Sequence, residues 1–409
     1  MQYKLKFPLA IRTSIQLPYS KSISNRVLIV NALAGQAFSP NRLSDCDDTR
    51  VTIAALNSDN NTIDIGAAGT AMRFLTAYFA VTPGTRVLTG SERMRQRPIH
   101  LLVDALRELG ADIEYLEHEG YPPLRIVGKE LSGQSIGLRG NVSSQYISAL
   151  LMIAPTLKNG LRIQLTDDRV STPYIYMTLH LMKAFGVDAV WESENNLYIP
   201  HQPYINIPFT VESDWSAASY WYQMVALSKI AEIRLPGLFD SSYQGDRRGA
   251  DIFAGLGVHT TFTQQGAVLT KQPPTINRLE EDFTDIPDLT QTLVVTCALL
   301  GVPFHFTGLQ TLIIKETNRI DALIAEMAKL GYVIRQENHS ELIWDGKRIN
   351  PKYIPIIKTY KDHRMAMAFA PAAIHYPQLI INDPQVVSKS YPTFWENLIE
   401  AGVGIQLMK

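Results

Sequence analysis

HLLVDALRELGADIEYLE (residues 100–117) reads as two elements joined at one glycine. The first eleven residues carry apolar side chains at the spacing of one helix face, and ADIEYLE alternates as a half-buried strand does. Gly110 stands where the helix must stop, and a glycine suits the left-handed backbone position after a helix C-terminus. The same sentence recurs as YMTLHLMKAFGVDAVWES, GADIFAGLGVHTTFT, RIDALIAEMAKLGYVIRQE and FWENLIEAGVGIQL. The closing glycines are Gly110, Gly186, Gly257, Gly331 and Gly402, spaced by 76, 71, 74 and 71 residues. A weaker copy without the glycine, TRVTIAALNSDNNTIDIG, precedes the first.

Six units at a period near 70 residues imply an α/β (α+β) protein of two domains with three units each. The period exceeds that of common solenoids, so each unit should hold more than one helix and several strands. At 409 residues the chain is also too long for one ordinary core. A single doubly wound sheet is the plainer alternative. It lacks its glycine-rich fingerprint, because GAAGTAMR (66–73) is not the dinucleotide pattern.

The composition, 46% hydrophobic and 19% charged, is that of a soluble globular protein. A net charge of -1 gives no basic field to attract nucleic acid or an anionic membrane, so neither is expected as a partner. Cys46 and Cys297 lie far apart without metal-ligand spacing, against a disulfide framework or a cysteine zinc site. MQYKLKFPLAIRTS shows no secretory signal, and LVVTCALLGVPF (293–304) is too short to span a bilayer. A cytoplasmic monomer is expected.

Between the glycine-closed helices lies a second set with unusual beginnings. Ser20 or Ser22 leads into Lys21 and Arg26; Gly69 and Thr70 lead to Arg73; Ser143 and Ser144 precede Gln145. Thr172 reads as a cap before Pro173, Asp288 follows Pro287, and Lys315, Glu316 and Arg319 share one start, as do Asp362, His363 and Arg364. Serine, threonine and aspartate at these places serve as caps. The cations are different, since a first-turn cation opposes the helix dipole by about 0.3–1 kcal/mol. Lys21, Arg73, Lys315, Arg319 and Arg364 all break that rule in one direction. The resolution is an anion at each start, where free N–H groups and a cation together hold phosphate or carboxylate. Ser22 and Arg26 share a helix face, and Arg93, Arg95 and Arg97 add a basic loop. The chain thus reads as an enzyme for small polyanions bound in a cleft shared by its domains.

Proton transfer requires groups that titrate, and Asp288, Glu316, Lys21 and His363 are the candidates. Neighbouring cations lower a carboxylate pKa, which suits a base. No Gly-x-Ser-x-Gly elbow, His-Glu-x-x-His or Walker loop is present, against hydrolase, zinc protease and P-loop kinase chemistry. Acid–base chemistry without metal or cofactor remains.

As an ordered set, LPYSKSISNR, GAAGTAMR, RMRQRP, VSSQYISALLM, VSTPY, IPDLT, KETNR, DHRMAM and VSKSYPTF span nearly the whole chain. The set closely resembles the 5-enolpyruvylshikimate-3-phosphate synthases, the enolpyruvyl transferases of the shikimate pathway. The resemblance implies a two-domain inverse α/β barrel-like fold of six βαβαββ units. One domain (20–243, mainly for shikimate 3-phosphate) would be inserted into the other (1–19 plus 244–409, mainly for phosphoenolpyruvate and the catalytic carboxylates). It implies transfer of the enolpyruvyl group to the 5-hydroxyl of shikimate 3-phosphate with release of phosphate, and domain closure over the substrates. Ser22 and Arg26 would hold the shikimate carboxylate; Ser143, Ser144, Ser171, Thr311 and Lys315 its phosphate; Gln145 and Tyr174 would lie beside the ring. Lys21, Gly69, Arg97 and Lys389 would surround the phosphate of phosphoenolpyruvate, with Gln145 nearby and Arg319 and Arg364 on its carboxylate. Asp288 would accept the hydroxyl proton, and Glu316 and Lys21 would share protonation of the methylene carbon and assistance to phosphate loss.

Tyr19 stands where the family has glycine, Ala67 and Thr311 where it has asparagine, and Asn318 where it has aspartate. None of these changes removes one of the titrating candidates, Asp288, Glu316, Lys21 and His363. The enolpyruvyl transferases acting on a UDP-sugar share the fold, but most place a reactive cysteine where this chain has RMRQRP. A non-catalytic anion- or RNA-end-binding relative is the other alternative, and the joint presence of Asp288, Glu316 and Lys21 argues against it.

Overall fold

A computed structural model of the chain describes residues 1–35, 42–140, 143–166, 170–351 and 355–408. They divide into two compact units, Met1–Tyr19 with Glu212–Lys409, and Ser20–Val211. The first unit opens with strands β1 (Gln2–Lys6) and β2 (Ala10–Ser14). The second unit begins with helices α1 (Lys21–Leu33) and α2 (Asp47–Leu56). It continues with β3 (Thr62–Asp64), α3 (Gly69–Val81), β4 (Gly84–Thr89), α4 (Glu92–Arg95), α5 (His100–Glu108), β5 (Asp112–Tyr115) and β6 (Leu124–Gly128). Its last repeat is β7 (Ser135–Arg139), α6 (Ser144–Ile153), β8 (Leu161–Thr166), α7 (Thr172–Ala184), β9 (Val190–Trp191) and β10 (Asn196–Ile199).

The chain then returns to the first unit as α8 (Trp215–Leu227), β11 (Ile230–Pro236), α9 (Gly249–Gly255), β12 (Val258–Thr263) and β13 (Gly266–Lys271). Next come β14 (Leu279–Asp282), α10 (Thr290–Leu300), β15 (Phe304–Thr307), α11 (Arg319–Lys329), β16 (Arg335–Glu337) and β17 (Glu341–Trp344). The final set is β18 (Ile356–Ile357), α12 (His363–Phe369), β19 (Ile380–Asn382), α13 (Phe394–Glu400) and β20 (Gly404–Met408).

Among the described residues these strands form five four-stranded sheets of one topology: β3-β4-β6-β5, β7-β8-β10-β9, β2-β11-β13-β12, β14-β15-β17-β16 and β18-β19-β1-β20. In each, the first pair is parallel and the other pairs are antiparallel. Parallel neighbours need a long crossover, which a helix supplies, whereas antiparallel neighbours need only a turn. Each sheet is thus a βαβαββ repeat. In the last one the N-terminal strand β1 takes the place of the final hairpin strand.

The return crossover falls after Val211, not near residue 243. The cause is strand pairing: β11 runs parallel to β2 from Ile230↔Ala10 to Arg234↔Ser14, which ties 212–243 to the first unit. The weaker copy at 49–66 also resolves differently. Its helix is α2, but β3 pairs forward with β4 and opens the next sheet. The sixth repeat is visible as α1 and α2, and residues 36–41 between them lie outside the described set.

The five glycines that set the period all take positive φ, from +82° to +95°. At four of them the next residue donates to a carbonyl five back, as Ala111 N does to Leu106 O and Tyr332 N to Met327 O, the Schellman closure. At Gly331 an added Cβ would also lie 2.2 Å from the Ile349 carbonyl oxygen.

The two helix sets have different environments. Helices α5 and α11 bury one face only, as their amphipathic sequences require. Helices α3, α6, α8, α10 and α12 are buried almost throughout, and α1 over most of its length. In the first unit α8, α10 and α12 form one apolar core with the inner faces of three sheets, Phe304 stacked on Phe306 and Trp221 among them. No helix among the described residues is long and apolar enough to cross a membrane.

Candidate active site

In the second unit the starts of the buried helices gather the expected residues. Helix α1 opens at Lys21, whose Nζ is 3.2 Å from Asp48 Oδ2 of α2, and no acidic residue lies in its first turn. Ser20 is the cap residue, yet its side chain makes no capping bond and its Oγ is buried without a partner. Arg26 is 2% exposed. Its Nε donates to Thr178 Oγ1 at 2.7 Å, Nη2 to Ser148 Oγ at 3.0 Å and Nη1 to the Ser22 carbonyl at 2.8 Å. The guanidinium lies over the rings of Phe74 and Tyr174, 5.2 and 5.8 Å from their centroids. Among the described residues no carboxylate pairs with it. Burial therefore lowers its pKa to about 10, against a smaller upward influence of Tyr174.

Helix α3 starts at Gly69, and the guanidinium of Arg97 lies so close that a Cβ on Gly69 would be 2.6 Å from Nη1. Arg97 is 8% exposed and has neither hydrogen bond nor ion pair among the described residues. Thr70, the next residue of α3, accepts from Gln145 Nε2 of α6 at 3.2 Å, which joins the two helix starts. Ser143 caps α6, its Oγ accepting from Gln145 N at 3.3 Å, and Ser144 is buried beside it. A hydroxyl so used keeps its proton to donate. Ser171, not Thr172, is the cap residue of α7, in a left-handed conformation at φ 55°, ψ 37°.

Two sequence expectations change here. Arg73 turns back along α3 to the Gly69 carbonyl at 3.1 Å and the Pro98 carbonyl at 3.3 Å, so it fastens the loop that carries Arg97. Arg93 and Arg95 are exposed, and Arg95 pairs with Glu117 at 3.1 Å.

In the first unit four motifs meet in one buried charge cluster. Arg319, at the start of α11 and 1% exposed, contacts three carboxylates: Asp288 Oδ1 at 3.2 Å, Glu316 Oε2 at 3.0 Å and Asp362 Oδ2 at 2.7 Å. Burial alone would lower its pKa, but the charges of Asp362, Glu316 and Asp288 outweigh burial and raise it. Arg364 Nη2 is 2.7 Å from Asp288 Oδ2, and Lys389 Nζ is 2.8 Å from Glu316 Oε1. Asp362 caps α12, accepting from Arg364 N at 2.9 Å, which explains an acid and a cation at one helix start. Lys315 and Thr311 are half-buried beside this cluster in sequence; Thr311 Oγ1 is buried without a partner. Asn318 caps α11 through Asp321 N at 3.4 Å, work an aspartate would do equally well.

The sequence reading missed Ser216, Tyr220 and Asp246. Ser216 Oγ and Tyr220 Oη lie 3.5 and 3.4 Å from the Arg364 guanidinium, and Asp246 accepts from Ser216. The signal was available as a helix start, since Asp214 of VESDWSAASYW caps α8 through Ala217 N. Both cysteines are buried, and burial raises their thiol pKa values, with Asp48 adding to the effect at Cys46. Neither is poised as a reactive thiolate.

The model of the family described as EPSP synthase (3-phosphoshikimate 1-carboxyvinyltransferase) matches residues 55–398. A Bacteroides fragilis protein named 3-phosphoshikimate 1-carboxyvinyltransferase is 63% identical over 407 residues, covering 100% of this chain and 99% of its own. A Sulfurovum sp. protein of the same name is 35% identical over 416 residues, covering 95% and 96%. Among solved structures, an EPSP synthase from Acinetobacter baumannii shares the fold at a TM-score of 0.77 and 20% identity, covering 99% of this chain and 100% of that one.

Proposed function

The chain belongs to the EPSP synthase family, and from that membership we propose that the residues described above carry the family's reaction. The enzyme transfers the enolpyruvyl group of phosphoenolpyruvate to the 5-hydroxyl of shikimate 3-phosphate and releases phosphate. On this reading Ser22 and Arg26 hold the shikimate carboxylate, and Ser143, Ser144, Ser171, Thr311 and Lys315 hold its phosphate, with Gln145 and Tyr174 against the ring. Lys21, Gly69, Arg97 and Lys389 receive the phosphate of phosphoenolpyruvate, with Gln145 close by, and Arg319 and Arg364 fork its carboxylate.

Asp288 takes the proton of the attacking hydroxyl. Between them Glu316 and Lys21 protonate the methylene carbon, giving a tetrahedral adduct, and assist phosphate loss. As phosphate departs, the new methyl group gives a proton back, which restores the C=CH2 bond of the product. Most of the acceleration comes from positioning two anions that repel each other and from fixed charges aimed at them. The single observation that carries the reading is the convergence of Asp288, Glu316, Arg319, Arg364 and Lys389, from four separate motifs, on one buried cluster. A second support is the buried Arg97, whose charge no group of the described chain neutralises.

The test is phosphate release. The protein should liberate phosphate from phosphoenolpyruvate only when shikimate 3-phosphate is present. Release with a UDP-sugar in its place, or no release at all, rejects the reading. The same reading takes the enzyme to be a cytoplasmic monomer, which light scattering and cell fractionation check.

A further inference from the structure

The motif QGDRRGADIF (244–253) brings a buried carboxylate to the catalytic cluster of the first unit. Asp246 lies on the 3-10 turn Gly245–Arg248 and is 5% exposed. The cations beside it in sequence do not neutralise it: Arg247 pairs with Asp240 and Asp251, and Arg248 with Glu281. Instead Asp246 Oδ2 accepts a hydrogen bond from Ser216 Oγ. That hydroxyl lies 3.5 Å from Arg364 Nη2, and the same nitrogen is 2.7 Å from Asp288 Oδ2. One serine oxygen therefore links a buried acid to the arginine–aspartate pair at the centre of the site.

The groups that act on Asp246 come from every neighbouring element. Helix α8 and its cap contribute Ser216 and Asp214, the turn before α10 contributes Asp288, and α12 contributes Arg364, which Tyr220 of α8 also contacts. Its own turn and α9 add Arg247, Arg248 and Asp251, each already engaged elsewhere. Burial and then repulsion from Asp288 push its pKa up to about 7, against the pull of Arg364 and the Ser216 hydrogen bond. Three cations of the cluster, Arg319, Arg364 and Lys389, face three carboxylates, Asp288, Glu316 and Asp362. An ionised Asp246 adds a negative charge beside Arg364, against an anionic ligand; a protonated one adds none.

We propose that Asp246 is a positioning residue: through Ser216 it holds the Arg364 guanidinium beside Asp288, and it takes up a solvent proton as phosphoenolpyruvate binds at Arg364. This rests on the assignment of Arg364 given above. Ligand and proton binding are reciprocal, so affinity for phosphoenolpyruvate is greatest with Asp246 neutral and declines as pH rises through 7.

The experiment measures phosphate release from about pH 6 to about pH 8 at saturating shikimate 3-phosphate, for wild type, Asp246→Asn and Ser216→Ala. Between pH 7 and 8 the KM for phosphoenolpyruvate of the wild type, divided by that of Asp246→Asn, should rise about fivefold by linkage. The substrate's own titration is common to both and cancels. Asparagine still accepts from Ser216, so kcat of Asp246→Asn should change less than KM. Ser216→Ala keeps the acid and its pH dependence but loosens Arg364, so its KM should be higher at every pH. Superimposable KM profiles for wild type and Asp246→Asn, or an unchanged KM in Ser216→Ala, overturn the proposal while leaving the function intact. A wild type that releases no phosphate overturns the functional reading, and this proposal with it.

Discussion

Replacing Gly69 by alanine tests the phosphate site by one methyl group. The new Cβ would stand 2.6 Å from Arg97 Nη1 and 3.0 Å from both Cζ and Nη2. Ordinary contact begins at 3.4 Å, so the guanidinium must retreat by about 0.8 Å. The three nearest atoms all belong to the far end of a flexible side chain, which is what must move. Gly69 opens α3, where alanine is the better helix former by about 0.5–1 kcal/mol. Stability should therefore hold or rise slightly, while the charge proposed to meet the substrate phosphate is displaced. A misplacement of about 1 Å in a positioned group typically lowers kcat/KM by about a hundredfold. A loss of about tenfold to a hundredfold in kcat/KM for phosphoenolpyruvate is expected, mostly through KM.

The assay is initial-rate phosphate release against phosphoenolpyruvate at saturating shikimate 3-phosphate, with calorimetry to confirm that shikimate 3-phosphate binding is retained. A double-mutant cycle with Arg97→Ala sharpens it. Gly69→Ala should add almost nothing once the guanidinium is gone, because both changes act on one contact. An unchanged KM in Gly69→Ala, or a full additive loss in the double variant, refutes the argument.

Four further outcomes follow from the same geometry. Asp288→Asn should lower kcat by about 10²–10⁴ through loss of the base while calorimetry still detects shikimate 3-phosphate; unchanged turnover removes Asp288 from the mechanism. Arg26→Met should abolish tight shikimate 3-phosphate binding without lowering the melting temperature, since a buried guanidinium with only neutral partners destabilises the fold; a drop of more than about 5 °C contradicts this. Gly110→Ala and Gly331→Ala share a positive φ, but only the second drives a Cβ into a carbonyl, so thermal melts should show a far larger loss for Gly331→Ala. The folded-state pKa of Asp246 lies above its ordinary 3.8, so its stabilising contribution is full below about pH 4 and is lost as pH rises through about 7. Melting temperatures between those limits should fall less steeply in Asp246→Asn than in wild type, and parallel curves would contradict the shift.

The repeat was legible because Gly110, Gly186, Gly257, Gly331 and Gly402 meet a backbone demand that other residues meet poorly. The weaker copy misled because periodicity reports a helix and a strand but not the partner of that strand, and β3 pairs forward. The return crossover was misplaced for the same reason: the pairing of β11 with β2 across the whole second unit leaves no local trace. First-turn cations were legible as rule-breakers, yet the rule does not say which way a side chain turns. Arg26 and Arg73 look alike in sequence; one carries an unneutralised charge over two aromatic rings, and the other fastens carbonyls. Asp246 was invisible because an acid beside two arginines reads as paired, and only the fold turns those arginines elsewhere.

The arrangement of chemistry follows from burying helices rather than sheets. A helix buried along its length offers no side chain to solvent except near its ends, so groups meant for a ligand must cluster at the termini. The N-terminus is the end whose free N–H groups favour anions. The starts of α1, α3 and α6 accordingly carry Lys21, Gly69 and Ser143, and those of α10 and α12 carry Asp288 and Arg364. By that logic α8, the remaining buried helix, should also contribute, although its opening residues Asp214, Trp215 and Ser216 contain no cation. Its contribution is Ser216, which offers one hydroxyl to Asp246 and stands beside Arg364. On the assignment proposed above, α8 thus acts through Arg364 rather than on a substrate directly.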